Sequence, residues 1–188
     1  MSLTLSDASQ GPSAARLKDW KDKGMIRTDD LKNLVIIPVL KAMRKAIPNN
    51  ENVNSNSAVN LLLGTCAVES NMGYFLKQIK GPAFGIYQIE PTTYEDIWEN
   101  YLSSRPELIS VILYNKGVVP DLLEIVGNLY LATFMARVHY MRFREPLPKP
   151  YDVRGMAEYW KTYYNTSKGK GTVQGFIANY RKYIENEI

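Results

Sequence analysis

The chain has little of what thiol, metal or membrane chemistry needs. Its 188 residues include one cysteine, Cys66, and one histidine, His139. A single cysteine excludes an internal disulfide. One cysteine and one histidine make no zinc constellation, and no metal or organic cofactor is expected. A cysteine–histidine catalytic pair is allowed by count, but neither residue stands in a supporting motif. Cys66 falls on an apolar stripe and reads as packing. Long apolar runs are also missing: Leu34–Leu40 is interrupted by Pro38 and is far too short to span a bilayer, so no stable membrane insertion is expected. The first twenty residues lack a charged segment followed by an apolar one, so the expectation is synthesis in a cytoplasm and delivery by other means. The net charge of +4 is spread thinly, with no basic run and no base-reading motif, which argues against nucleic acid as a partner. There is no internal repeat and no second module. With 45% hydrophobic and 22% charged residues, the expectation is one globular domain with ample chain for a core.

What the chain does have is a carboxylate in an unusual place. In Asn54–Ser70, the residues Val59, Leu62, Cys66 and Glu69 recur at steps of three, four and three, one face of an α-helix. Ser57 is the expected N-cap. Glu69 thus sits on the apolar stripe and near the helix C-terminus, where the macrodipole is negative. Both effects disfavour the ionised form. Raising a glutamate from about 4.3 to about 6 amounts to roughly 2.3 kcal/mol and leaves a proton to donate. A helix-end glutamate reaching water past Gly73 is the plain alternative. The segment that follows shifts the balance. Gly81, Pro82 and Gly85 break any helix and permit close backbone approach. Tyr74, Phe75, Phe84 and Tyr87 offer flat surfaces of the kind that stack on sugar rings, and Gln88 can donate and accept hydrogen bonds.

Glu69-Ser70, then Gly85-Ile86-Tyr87-Gln88-Ile89, then Pro91 and Thr93 together resemble the core of soluble-type lytic transglycosylases and goose-type lysozymes. Gly85 follows Glu69 by 16 positions, close to the family spacing. Tyr163-Tyr164-Asn165, followed by Gly169 and Gly171, resembles a second family element. The resemblance is spread over roughly residues 58–180, but it rests on these two short blocks. It implies a lysozyme-like fold and cleavage of the β-1,4 bond between N-acetylmuramic acid and N-acetylglucosamine in peptidoglycan glycan strands. It implies Glu69 as catalytic acid, Ser70 supporting the turn after the helix, and Gln88 beside the scissile sugar, with Gly85 and Tyr87 in the same binding segment. It also implies Tyr164 near the catalytic carboxyl, with Asn165 its neighbour; for Tyr164, core packing is an equal reading. Two departures stand out. The family serine before the Gly-rich turn is missing, and Gln78 is the candidate to take over its contacts. Glu90 stands where transglycosylases commonly carry methionine and goose-type lysozymes an acidic residue. It is therefore a candidate second carboxylate, or else an exposed turn residue before Pro91. A carboxylate pair about 6.5–9.5 Å apart would leave room for an activated water; without it, the substrate's acetamido group and 6-hydroxyl suffice and leave a 1,6-anhydro end. Glu95 and Asp96 fall on the polar face of the next helix. The mildly basic charge suits an anionic wall polymer, and release by a phage lysis partner or carriage in a virion would fit. A non-catalytic phage structural or wall-binding protein of the same fold is the competing class.

The expected architecture is mainly α, a lysozyme-like helical domain with a small loop or hairpin region beside the catalytic helix. Residues 1–14 are expected to be a flexible lead-in to a single domain at 15–188, with a helical extension at 15–56 and a catalytic core at 57–188. Helices are expected at 15–24, 29–47 (kinked at Pro38), 57–71, 92–103 and 105–115. One long helix is expected from Asp121 to about Arg144, with Leu122, Ile125, Leu129, Phe134, Val138 and Met141 on its apolar face. A stiff connector at Pro146, Pro148 and Pro150 precedes the last helices, 151–165 and 172–186, the final one capped by Thr172. Arg142, Arg144, Lys149, Lys168 and Lys170 are candidates for a wall-facing basic patch, with a solvated surface as the plainer reading.

Overall fold

The computed structural model describes residues 26–113, 118–166 and 169–185. The expected lead-in and first helix, residues 114–115 of the helix expected at 105–115, Lys168 and residue 186 of the final helix lie outside them. The described chain is mainly α-helical, as the periodicities predict. The first helix, α1, is a continuous run of Thr28–Asp30, a π-helical stretch Leu31–Ile36, and Ile37–Ala46. Pro38 lies at the start of the last segment. A proline lacks the amide that a regular helix would use, and the widened turn precedes it. Helix α2 spans Asn56–Ser70. Its cap is Ser55 rather than Ser57: the Ser55 hydroxyl accepts from the Ala58 amide at 3.2 Å. The extended backbone of Ser55, after a 3₁₀ turn at Glu51–Asn54, allows this.

Helix α2 is the spine of the molecule. Leu61, Leu62, Leu63, Cys66 and Ala67 are all at most 1% exposed, so the helix is buried around its circumference and not along one stripe. Each such leucine contributes about 1.5–3 kcal/mol by leaving water. The apolar positions at 61 and 63, off the expected stripe, are covered because other helices surround α2. Helix α8, Val173–Tyr183, packs most closely against it. At Gly64 an added Cβ would lie 2.3 Å from the Phe176 ring, so the crossing depends on that glycine. Thr28 donates from its hydroxyl to the Tyr183 carbonyl at 2.6 Å, joining the start of α1 to the end of α8. Leu31, Ile36, Val39, Leu40 and Met43 of α1 belong to the same core.

The middle of the chain is more broken than its pattern suggests. Helix α3, Pro91–Asp96, continues as a π-helical Ile97–Tyr101 and a 3₁₀ turn Leu102–Ser104; α4 is Pro106–Ile109. The expected single helix from Asp121 is two. Asp121 accepts from the Leu123 amide at 2.8 Å and starts α5, Glu124–Gly127. The chain then opens at Asn128, whose side chain accepts from the Leu131 amide at 3.0 Å and caps α6, Leu129–Met141. A glycine and an asparagine in sequence favour this break, since the asparagine cap offers an alternative to continuing the helix. Helix α7, Val153–Trp160, is capped by Asp152 and continues as a π-helical turn, Lys161–Asn165. Thr172 caps α8 as expected, accepting from the Gly175 amide at 3.0 Å.

Candidate active site

Helix α2 ends beside a compact hairpin-like turn, and this junction builds the site. Asn71 leaves the helix in the left-handed conformation, an asparagine in its most tolerated role. The chain returns through isolated antiparallel bridges, Lys77 with Phe84 and Phe84 with Ile89. Phe84 and Ile89 exchange both backbone hydrogen bonds at 3.0 and 2.9 Å, closing the turn Gly85-Ile86-Tyr87-Gln88. Gly85 has φ +74°, and a Cβ there would meet the Ile125 carbonyl at 2.9 Å, so both conformation and space require glycine. Gln88 has φ +47° and is nearly buried. Its side-chain amide nitrogen donates to the Gly85 carbonyl at 2.7 Å. The side chain thus folds onto its own turn, and Gln88 lines the cleft in front of it.

Ser70 ties helix to turn. Its hydroxyl donates to the Ile86 carbonyl at 2.6 Å and accepts from the Gly73 amide at 2.9 Å. It is fully buried. Ser70 is therefore out of reach of any ligand, and its part is the local support that the Glu-Ser pattern implies, not substrate binding. Tyr87 is a second correction. It is fully buried, with its hydroxyl 3.3 Å from that of Thr133, so it presents no face to a ligand. In a four-residue turn, Ile86 and Tyr87 both fill the core behind it. Gly85, likewise buried, shapes the turn and does not line the cleft.

A cleft of about 590 Å³ lies in front of this junction. Glu69, Gln78, Gln88, Glu90, Tyr164 and Asn165 all line it. Six residues picked out from sequence therefore converge, drawn from α2, the hairpin region, the start of α3 and the end of α7. The Tyr164 hydroxyl donates to the Tyr87 carbonyl at 2.8 Å, bracing the turn from the far side. Its ring lies edge-on to His139 and tilted on Tyr140. The packing and site readings of Tyr164 thus coincide. Asn165 accepts from the Lys161 ammonium at 2.7 Å, which also donates to the Gly169 carbonyl at 2.8 Å and so holds the rim. Glu90 is exposed and precedes α3 without capping it.

Glu69 is half-buried, and its carboxyl is pushed up to about 7. Burial is the main cause; a hydrogen bond from Trp160 opposes it, and the charge of Glu90 adds to the rise. Around pH 7 such a group is protonated in about half of the molecules. Periodicity alone does not single out Trp160, which falls on the same stripe as Met156, Ala157 and Tyr164. Its indole nitrogen donates to Glu69 Oε1 at 2.9 Å. The signal in the sequence was the indole itself: a buried N–H needs an acceptor. His139 also borders the cleft. It is held neutral, its pKa lowered to about 4 mainly by burial and then by the nearby Arg142 guanidinium. One ring nitrogen lies 3.0 Å from the Tyr163 carbonyl, and the other is 3.2 Å from Arg142. Arg142 also pairs with Asp96, which removes both from the roles of free basic patch and spare acid. Cys66 is buried with its thiol pushed up to about 12 by burial, which leaves it inert.

Among the described residues, no group of three or more histidines, cysteines, aspartates or glutamates could hold a metal ion. No helix among them is long and apolar enough to cross a membrane. Comparison with known proteins finds no matching family, curated protein or solved structure. What this cleft can do chemically follows from its groups: one carboxyl poised to give and take a proton near neutrality, a second acidic side chain, and amide side chains in its lining.

Proposed function

We propose that this chain is a muramidase that cleaves the β-1,4 bond between N-acetylmuramic acid and N-acetylglucosamine, by lytic transglycosylation. The observation that carries the reading is the placement of Glu69: a carboxyl on the end of a buried helix, raised to about 7, facing a cleft large enough for sugar rings. Glu69 gives its proton to the glycosidic oxygen as the bond from the muramic C1 breaks. The substrate's acetamido oxygen takes up the charge at C1. The 6-hydroxyl oxygen then bonds to C1, its proton returns to Glu69, and the acetamido group is released. No water is consumed and a 1,6-anhydro end results. Gln88, Gln78 and Asn165, which line the cleft, would hold hydroxyl and acetamido groups.

A hydrolytic route is the second reading, favoured by one observation: Glu90 borders the same cleft, and its charge acts on Glu69. There a water would attack C1 and Glu90 would take its proton. Digestion of purified peptidoglycan followed by mass analysis separates the routes. Wild-type protein is expected to release muropeptides one water lighter than hydrolytic products, and Glu69→Gln to lose about 10²–10⁴-fold in rate. Reducing muramic ends would move the assignment to hydrolysis through Glu90. No product from the wild type would sink both routes and leave a wall-binding protein.

A further inference from the structure

We infer that Trp160 is a positioning residue that assigns the labile proton of Glu69 to a single oxygen, Oε2, the one left for the ligand. The argument needs only donor and acceptor roles. The indole N–H is a donor with no acceptor capacity. It points at Glu69 Oε1 at 2.9 Å. The hydroxyl oxygen of a neutral acid is a poorer acceptor than its carbonyl oxygen, so the neutral acid keeps Oε1 as its carbonyl oxygen and carries the proton on Oε2. The indole itself has no freedom to follow another arrangement. It is 1% exposed, and its ring is tilted on that of Phe176 at 5.5 Å. The backbone at Gly171 is also in close contact: a Cβ there would lie 2.4 Å from the indole ring. The glycine after α7 is thus what lets the rim close onto the indole.

The same bond stabilises the ionised carboxylate, so it also limits how far burial can raise the proton affinity. The other groups facing Glu69 do not supply this balance. Glu90, from the start of α3, pushes in the opposite direction. Tyr140 on α6 and Tyr164 on α7 are neutral phenols that burial holds well above their ordinary value, and Cys66 is a neutral thiol. His139 is uncharged near neutrality. Lys80 and Lys170 border the cleft from its two loops and have no hydrogen bond to Glu69 among the described residues.

This inference rests on the proposed function for its catalytic meaning, but its test does not. The protein is labelled with ¹³C in its glutamate side chains, and Glu69, identified by the signal lost in Glu69→Gln, is titrated by NMR in the wild type and in Trp160→Phe. A second variant replaces the residue at 160 by the benzothiophene isostere of tryptophan, which keeps the ring's shape and lacks the N–H, so that a packing defect in the phenylalanine variant decides nothing. Both variants are expected to titrate about 0.5–1 pH unit above the wild type, and any wall-cleaving activity to extend its alkaline limb by the same shift. An unchanged or lower value in the isostere variant would overturn the role. Peptidoglycan left intact by the wild type, with the NMR shift present in both variants, would count against the muramidase reading alone.

Discussion

At the scale of the residue, the burial of Glu69 ties stability to pH. Its folded value of about 7 lies above the ordinary value of 4.5. The sign follows: the neutral acid suits its site, so its contribution is complete below about pH 4.5 and is lost as pH rises through about 7. The loss is on the order of 3 kcal/mol. Glu69→Gln keeps an acceptor for the Trp160 indole and cannot ionise. The variant is expected to match the wild type at pH 4 and to exceed it in denaturant midpoint at pH 8. Equal stability at pH 8 would mean that the carboxyl is better solvated than its burial indicates. Residue-scale legibility was uneven. The helical spacing placed Glu69 correctly at the apolar end of α2, and the pattern of the following turn placed Gln88. Tyr87 was misread because neighbouring aromatics in an irregular turn carry no periodicity to tell inside from outside. Trp160 was missed because its acceptor lies 91 positions away.

At the scale of the element, the junction of α2 with the hairpin turn and its crossing with α8 each depend on one small side chain. Ser70→Ala would strand the Ile86 carbonyl and the Gly73 amide in a fully buried site. A loss of about 1–3 kcal/mol is expected in chemical denaturation, with activity falling further than stability because the turn carries Gln88. Gly64→Ala pushes a methyl group into the Phe176 ring. Overpacking of this kind costs about 1–3 kcal/mol, and trimming the ring by Phe176→Leu in the same chain is expected to recover part of it. A neutral Gly64→Ala in a urea titration would show that α8 can slide. The apolar pattern announced α2, α7 and α8 to within a few residues. It failed at Asn128, where the apolar positions run on through a break: hydrophobic spacing survives a change of axis, and only the Gly127-Asn128 pair marks it.

At the scale of the whole molecule, two opposing titrations offset each other. His139 has a folded value of about 4 against an ordinary 6.5. Its contribution is present above about pH 6.5 and is lost as pH falls through about 4, again on the order of 3 kcal/mol. Between about pH 4.5 and 6.5 the two slopes cancel, so the wild type is expected to keep a nearly constant melting temperature from pH 4 to 8, whereas Glu69→Gln, left with the His139 titration alone, loses it on the acid side; thermal scans from pH 4 to 8 check this. The mainly α character was legible from composition and period, whereas the surrounding of α2 was not, because it takes helices from both ends of the chain. That arrangement has a consequence for synthesis. A ribosome makes Glu69 long before it makes Trp160 and α8. Until α8 has emerged and Thr28 can meet Tyr183, the carboxyl stands in water as an ordinary glutamate. The partner that holds the Glu69 carboxyl in place is thus added only when most of the chain has been made.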